Sequence, residues 1–125
     1  MLANHAVHAA LPASDMERAK KFYTEKLGLT PQSETPGGVF YECGEGTRFL
    51  VYPTEGTASG THTQLGWTVG DIEAEVAALK AKGVVFEEYD TPYLKTVNGV
   101  ASPGPVKAAW FQDSEGNLLG LVQFM

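Results

Sequence analysis

Three histidines, one cysteine and a scatter of carboxylates are the groups in this chain able to hold a metal or move a proton. His5 and His8 are three residues apart, a spacing that on a strand turns them to opposite faces, so they are not expected to chelate together. His62 and Gln64 are two apart and share a face, where an imidazole nitrogen and an amide oxygen both offer lone pairs. His8 is the natural general base if the chain is an enzyme, its pKa tuned by burial. Cys43 beside a glycine-rich turn reads as small filler rather than as a nucleophile. No Ser-His-Asp or Cys-His order stands out. Glu42 could reach inward from its hairpin but reads better as a solvated turn carboxylate, and Gly44-Glu45-Gly46 is too short and acidic to cradle a phosphate.

These residues sit in a chain that says nearly the same thing twice. His8 precedes Asp15 by seven residues, as Gln64 precedes Asp71, and both pairs are offset by 56. A helix-like run follows each aspartate and ends in glycine, at Gly28 and Gly83. Further on, Gly44-Glu45-Gly46 is echoed 70 residues later by Ser114-Glu115-Gly116, each followed by an apolar run. A repeat of this kind tells which positions should meet across an internal two-fold axis.

The elements that must carry the repeat follow from pattern. Residues 7–11 read as a short strand, and Ser14-Asp15-Met16-Glu17 as a capping box opening a helix with Met16, Ala19, Tyr23 and Leu27 on one face. A weaker strand at 30–34 precedes a hairpin of 39–42 and 48–52. The second half repeats the order: a strand at 65–69, a helix at 71–82 and strands at 84–89, 106–112 and 118–124. Three strands after each helix, rather than two, favour this duplicated module over a ferredoxin-like sandwich. The fold class is therefore α+β: two tandem βαβββ modules forming a curved, cup-like mixed sheet with helices on the outer face. Module one covers about 1–53, a Gly/Thr/Ser-rich linker 54–62, and module two 63–125, in a single domain over 1–125. Residues 90–105 are longer than a turn needs and carry Pro92, Pro103 and Pro105 with Tyr93 and Lys95, which points to a flap over a ligand.

Composition narrows the function classes. A 125-residue chain that is 43% hydrophobic and 19% charged can bury a core. Its net charge of −6 disfavours nucleic acid, which needs clustered Lys and Arg; it suits a cationic ligand, but more often such a charge only keeps a protein soluble. The lone Cys43 excludes an intrachain disulfide and points to a reducing, cytoplasmic setting. No leader pattern and no bilayer-length apolar run is evident, so no membrane partner is expected.

The pattern resembles the vicinal-oxygen-chelate superfamily of glyoxalase I, extradiol dioxygenases, fosfomycin-resistance transferases and bleomycin-resistance proteins. The resemblance rests on His8 seven before Asp15, Phe22-Tyr23 followed by Leu27-Gly28-Leu29, and Asp113-Ser114-Glu115-Gly116-Asn117 before the last strand. In the metal-dependent members four strand residues bind one divalent cation, and the resemblance places those positions at His8, Leu50, Gln64 and Gly120. His8 and Gln64 can ligate; Leu50 and Gly120 cannot through their side chains. A metal site with both usual carboxylates missing should bind poorly, so the expectation is no metal cofactor. The alternative is Zn, Ni, Mn or Fe held by His8, Gln64 and His62.

Without a metal, the cup can still hold a molecule by apolar contact and a few polar anchors. Strand alternation turns His8 and Ala10, Gln64, Gly66 and Thr68, and Arg48, Leu50, Tyr52, Leu118, Gly120 and Val122 toward it, with Trp67 in the core. Gly120 either leaves space at the cup floor or marks a close backbone approach. Phe40, Trp110, Tyr89 and Tyr93 could wall a flat ligand, and Arg48 could anchor an anionic group. The preferred expectation is a metal-free binder of an aromatic or cationic compound, similar to the bleomycin-resistance branch and, by that resemblance, a homodimer. The second is a glyoxalase-like lyase, isomerase or dioxygenase with a rearranged site, and the third a non-catalytic interaction subunit with an obstructed cup.

Overall fold

The computed structural model describes residues 1–125. Module one contains β1 (Ala9–Ala13), α1 (Met16–Lys21), β2 (Pro31–Thr35), β3 (Gly38–Glu42) and β4 (Arg48–Pro53). Its sheet runs in the order β1-β4-β3-β2, with β1 parallel to β4 and the other pairs antiparallel. Module two contains β5 (Thr63–Thr68), α2 (Ile72–Ala81), β6 (Thr96–Val97), β7 (Val100–Ala101), β8 (Val106–Gln112) and β9 (Leu118–Phe124). Its order is β5-β9-β8-β7-β6, again with the first strand parallel to the last. The molecule is thus α+β, with two curved mixed sheets that meet where β1 lies beside β5. No helix is long and apolar enough to cross a membrane.

One core serves both modules. Leu11, Tyr23, Tyr41, Phe49 and Val51 from the first join Ile72, Val76, Phe111 and Leu119 from the second in one buried cluster. Aromatic rings carry it across the module junction: Phe49 meets Trp67 edge-on at 6.1 Å, and Trp67 stacks on Phe111 at 6.4 Å. The helices cover this face of both sheets, which leaves the opposite face open. That division is what strand alternation requires, since alternate side chains must go to opposite sides.

Local chemistry shifts several expected boundaries. The first strand begins and ends two residues later than the 7–11 reading, because Leu11 and Ala13, both buried, are the pair that seals the core. Pro12 is tolerated within it because β1 is an edge strand of its sheet, where a missing N–H breaks no ladder. The N-cap of α1 is Asp15, whose carboxylate accepts from the Arg18 amide at 3.1 Å, and not Ser14 as the capping-box reading expects. Ser14 is diverted to Glu115 in the other module. After Lys21 the helix widens into a π-helical turn, Phe22–Lys26, and Gly28 then makes the left-handed exit at φ 70°.

Residues 84–89 do not form the expected strand. They touch the sheet through one bridge, Phe86 to Phe111, and through the Glu87 amide on the Trp110 carbonyl at 2.8 Å. Within residues 90–105, expected as a flap, 96–101 form the β6–β7 hairpin around Asn98 and Gly99, both at positive φ. The Glu88 carboxylate pins the hairpin by accepting from Thr96 Oγ1 at 2.8 Å and from the Gly99 amide at 2.6 Å.

Candidate functional site

On the open face, module one gathers a polar-aromatic cluster. Phe40 on β3 and Leu50 on β4 are register partners, and Ala10 pairs with Leu50 from the other side. His8, just ahead of β1, meets the Phe40 ring edge-on at 5.1 Å. Arg48 lays its guanidinium over the same ring, with Cζ 4.1 Å from the centroid, so the cation gains from the ring's negative face. Its Nη1 donates to Gln32 Oε1 at 3.2 Å, and Gln32 Nε2 donates to Glu42 Oε2 at 3.2 Å. Arg48 is therefore held by a chain running through three strands. Tyr52 lies half-buried further along the same face of β4.

Module two presents a different surface. Trp110 is the register partner of Gly120, and a β-carbon built on Gly120 would lie 3.4 Å from Trp110 Cδ1 and 3.4 Å from Thr63 Cγ2. The strand glycine thus marks a close approach, with the indole lying over it, and not an empty floor. Tyr89 braces that indole edge-on at 5.6 Å. A bulge between Thr63 and Leu65 puts Thr63, rather than Gln64, above Gly120. Gln64 is the extra residue there, half-buried, with its Oε1 enclosed and unpartnered.

The expected site residues accordingly fall into two groups and three outliers, one of them Gln64, displaced into the β5 bulge. His8, Phe40, Arg48, Leu50 and Tyr52 share the first module's open face, while Trp110, Tyr89 and Gly120 form the second module's aromatic floor. Tyr93 stands apart, 95% exposed on the 90–95 loop, so it adds nothing to that wall. His62 is exposed, its Nδ1 turned to Ser59 and Thr61 of the linker. Gln32, Glu42 and Thr63 join the face without having been singled out as site residues. The parity of Phe40 and Glu42 on β3 pointed to Glu42; the bulge that brings in Thr63 leaves no sequence signal.

The sequence profile of the glyoxalase/bleomycin resistance protein/dioxygenase superfamily matches residues 5–121. The chain belongs to this superfamily. It is 31% identical to the uncharacterised protein YurT of Bacillus subtilis, over 87% of this chain and 91% of that one. Among solved structures, TnmS3, an antibiotic-binding protein from Streptomyces sp. CB03234, superposes with a TM-score of 0.68 at 26% identity, covering 100% of this chain and 99% of its own. A lactoylglutathione lyase from Agrobacterium tumefaciens shares the fold at a TM-score of 0.65 and 21% identity, over 96% and 93% of the two chains.

A divalent metal is the group the superfamily implies, and the donor set here does not fit it. At the four chelate positions stand an imidazole, a hydrocarbon, an amide and no side chain at all. His8 is one imidazole without a second donor beside it, the Leu50 side chain has no lone pair, and the place beside Gly120 is taken by Trp110. No three His, Cys, Asp or Glu side chains converge to hold an ion. A borderline cation needs several such donors at once.

Proposed function

We propose that this superfamily member is a metal-free small-molecule binder that sequesters an aromatic or cationic compound on its open face. The observation that carries the reading is the Gly120 floor: a position able to carry a chelating side chain is occupied by the indole of Trp110, braced by Tyr89. An aromatic platform offers a flat ligand stacking area that survives without any metal. The net charge of −6 favours a cation in the surrounding field, and the likeness to an antibiotic-binding protein supports the ligand class.

The binder works as a homodimer, in which a partner copy would close over an otherwise shallow face, and in a cytoplasmic setting that keeps Cys43 reduced. Equilibrium dialysis against a panel of aromatic and cationic compounds is the direct test. Binding that weakens at least tenfold in Trp110→Ala supports the reading, and no binding across the panel sinks it. Elemental analysis of protein purified without affinity metal or chelator decides the alternative. Near-stoichiometric Zn, Ni, Mn or Fe would return the chain to the enzyme reading, with His8, Gln64 and His62 as ligands.

A further inference from the structure

The internal repeat makes each half a template for the other, and the two halves differ at one place in a way that leaves a cavity. In module two the turn Asp113–Asn117 is closed by the Asp113 amide on the Asn117 carbonyl at 2.9 Å. In module one the Cys43–Thr47 turn is closed by the equivalent bond, Cys43 amide to Thr47 carbonyl, at 2.7 Å. The helix caps also correspond, with Arg18 donating its amide to Asp15 at 3.1 Å and Ala74 donating to Asp71 at 3.2 Å. Glu115 and Glu45 are therefore equivalent, as are Arg18 and Ala74.

The partners of the two glutamates are not. Glu115 takes the Arg18 guanidinium at 2.7 and 3.0 Å, the Asp15 amide at 2.9 Å and the Ser14 hydroxyl at 3.3 Å. Around Glu45 the side-chain donors are gone, since Ala74 stands for Arg18 and Gly70 for Ser14, and only the backbone amide of Asp71 stands for that of Asp15. Asn117, which donates to the Pro12 carbonyl at 3.0 Å, is matched by Thr47, whose hydroxyl turns back to Gly44 at 2.7 Å. The ion pairs of the chain use other carboxylates, so Glu45 stays exposed and unpaired.

What remains is a cleft of about 560 Å³, walled by Cys43, Glu45 and Thr47 of the turn and by Leu65, Trp67 and Thr68 of β5. That volume is in the range of small-molecule sites. Its apolar wall carries Trp67, an indole already fixed between Phe49 and Phe111. Arg48 also borders the cleft, but its charge is drawn to the Phe40 ring and to Gln32.

We propose that this cleft is a second ligand site, bordering the open face at Arg48 but distinct from the Trp110 floor, that takes a small aromatic cation with a guanidinium or amidinium head. The head lies on Glu45 as the Arg18 guanidinium lies on Glu115. The planar fork of such a head matches a carboxylate with two parallel hydrogen bonds, which an ammonium cannot copy. The aromatic body packs against the Trp67 wall.

Phenylguanidinium is the probe, titrated into isotope-labelled protein while backbone amides and indole N–H groups are followed by NMR. Saturable shifts confined to residues 43–48 and 65–68 and to the Trp67 indole are expected. Glu45→Gln, a change in an exposed turn, should weaken the binding about tenfold, the loss of a charge-assisted pair. Phenylurea, neutral and nearly the same shape, should bind wild type as weakly as the cation binds the variant. Shifts centred on Trp110 and Tyr89 would overturn the proposal while favouring the open-face reading, and equal affinity in wild type and Glu45→Gln would overturn it as well.

Discussion

Two turns related by the internal repeat show how one backbone can be used in opposite ways. The second-module turn is an interlock. Asp113, 6% exposed, accepts from the Tyr23 hydroxyl at 2.5 Å, the Asn117 side-chain amide at 2.7 Å and the amides of Glu115 and Asn117 at 2.8 and 2.9 Å. Tyr23 comes from the first module, so this cluster joins the two halves through buried polar bonds. The first-module turn keeps the same closing backbone bond, but Cys43 stands for Asp113 and Leu79 for Tyr23. Across from it lies a cavity. Polar satisfaction in one half fixes the halves together, and its loss in the other opens space that a ligand can use.

The sharpest way to break this comparison is to remove the carboxylate that organises the interlock. Asp113→Ala would strand the buried Tyr23 hydroxyl and the backbone N–H of Asn117, each costing about 1–3 kcal/mol, for a loss on the order of 3–5 kcal/mol. Cys43→Ala, at the equivalent place, should cost under about 1 kcal/mol, since only a small half-buried side chain is trimmed. Urea unfolding midpoints for both variants test the contrast, and similar losses would show that the interlock carries no special weight. The Tyr23 phenol itself stays protonated throughout, since burial and then the Asp113 charge push its pKa far above the ordinary value. Tyr23→Phe leaves Asp113 its three remaining donors, and about 1–2 kcal/mol is expected in the same measurement.

Acid should weaken the second-module interlock by a smaller margin. Burial alone would raise the Glu115 pKa, but the Arg18 guanidinium, the Asp15 amide and the Ser114 hydroxyl outweigh it and bring it to about 2. A carboxylate whose folded pKa lies below its ordinary 4.5 stabilises the fold above that value. The contribution fades as pH falls from about 4.5 through about 2. Glu115→Gln should flatten this part of the stability-against-pH curve. A curve equally steep in Glu115→Gln would place the acid sensitivity elsewhere.

Sequence reading finds what lies within a repeat and loses what passes between repeats. The paired aspartates, the Glu-Gly turns and the alternation that sends Leu50 and Phe49 to opposite faces are local patterns, so the modules and their open face are legible. Ser14 misleads as a helix cap because its real partner, Glu115, is about a hundred residues away. The bulge beside Gln64 swaps in Thr63 through a ladder irregularity with β9 that no period of two reveals. Asn98-Gly99 carried a hairpin signal that the expected flap obscured. At the candidate site, the residue types at Leu50 and Gly120 already argued against chelation. That Trp110 lies on Gly120 depends on strand pairing, which only the fold supplies.

The finest test of the comparison transplants one half's chemistry into the other. Ala74→Arg places a guanidinium on α2 where Arg18 sits on α1, one turn into the helix and on an exposed position. An exposed ion pair is worth little, so stability should change by no more than about 0.5 kcal/mol in either direction. Occupancy is the sensitive readout. If Glu45 is the acceptor for a guanidinium head, the transplanted arginine competes for it, and phenylguanidinium should bind about twofold more weakly, the same free energy read as occupancy. Combining Ala74→Arg with Glu45→Gln should then weaken binding no further than Glu45→Gln alone, because both changes remove the same free carboxylate. Additive losses would mean that the arginine acts at a distance through charge. The two turns would then be equivalent in backbone, but not in the chemistry they present.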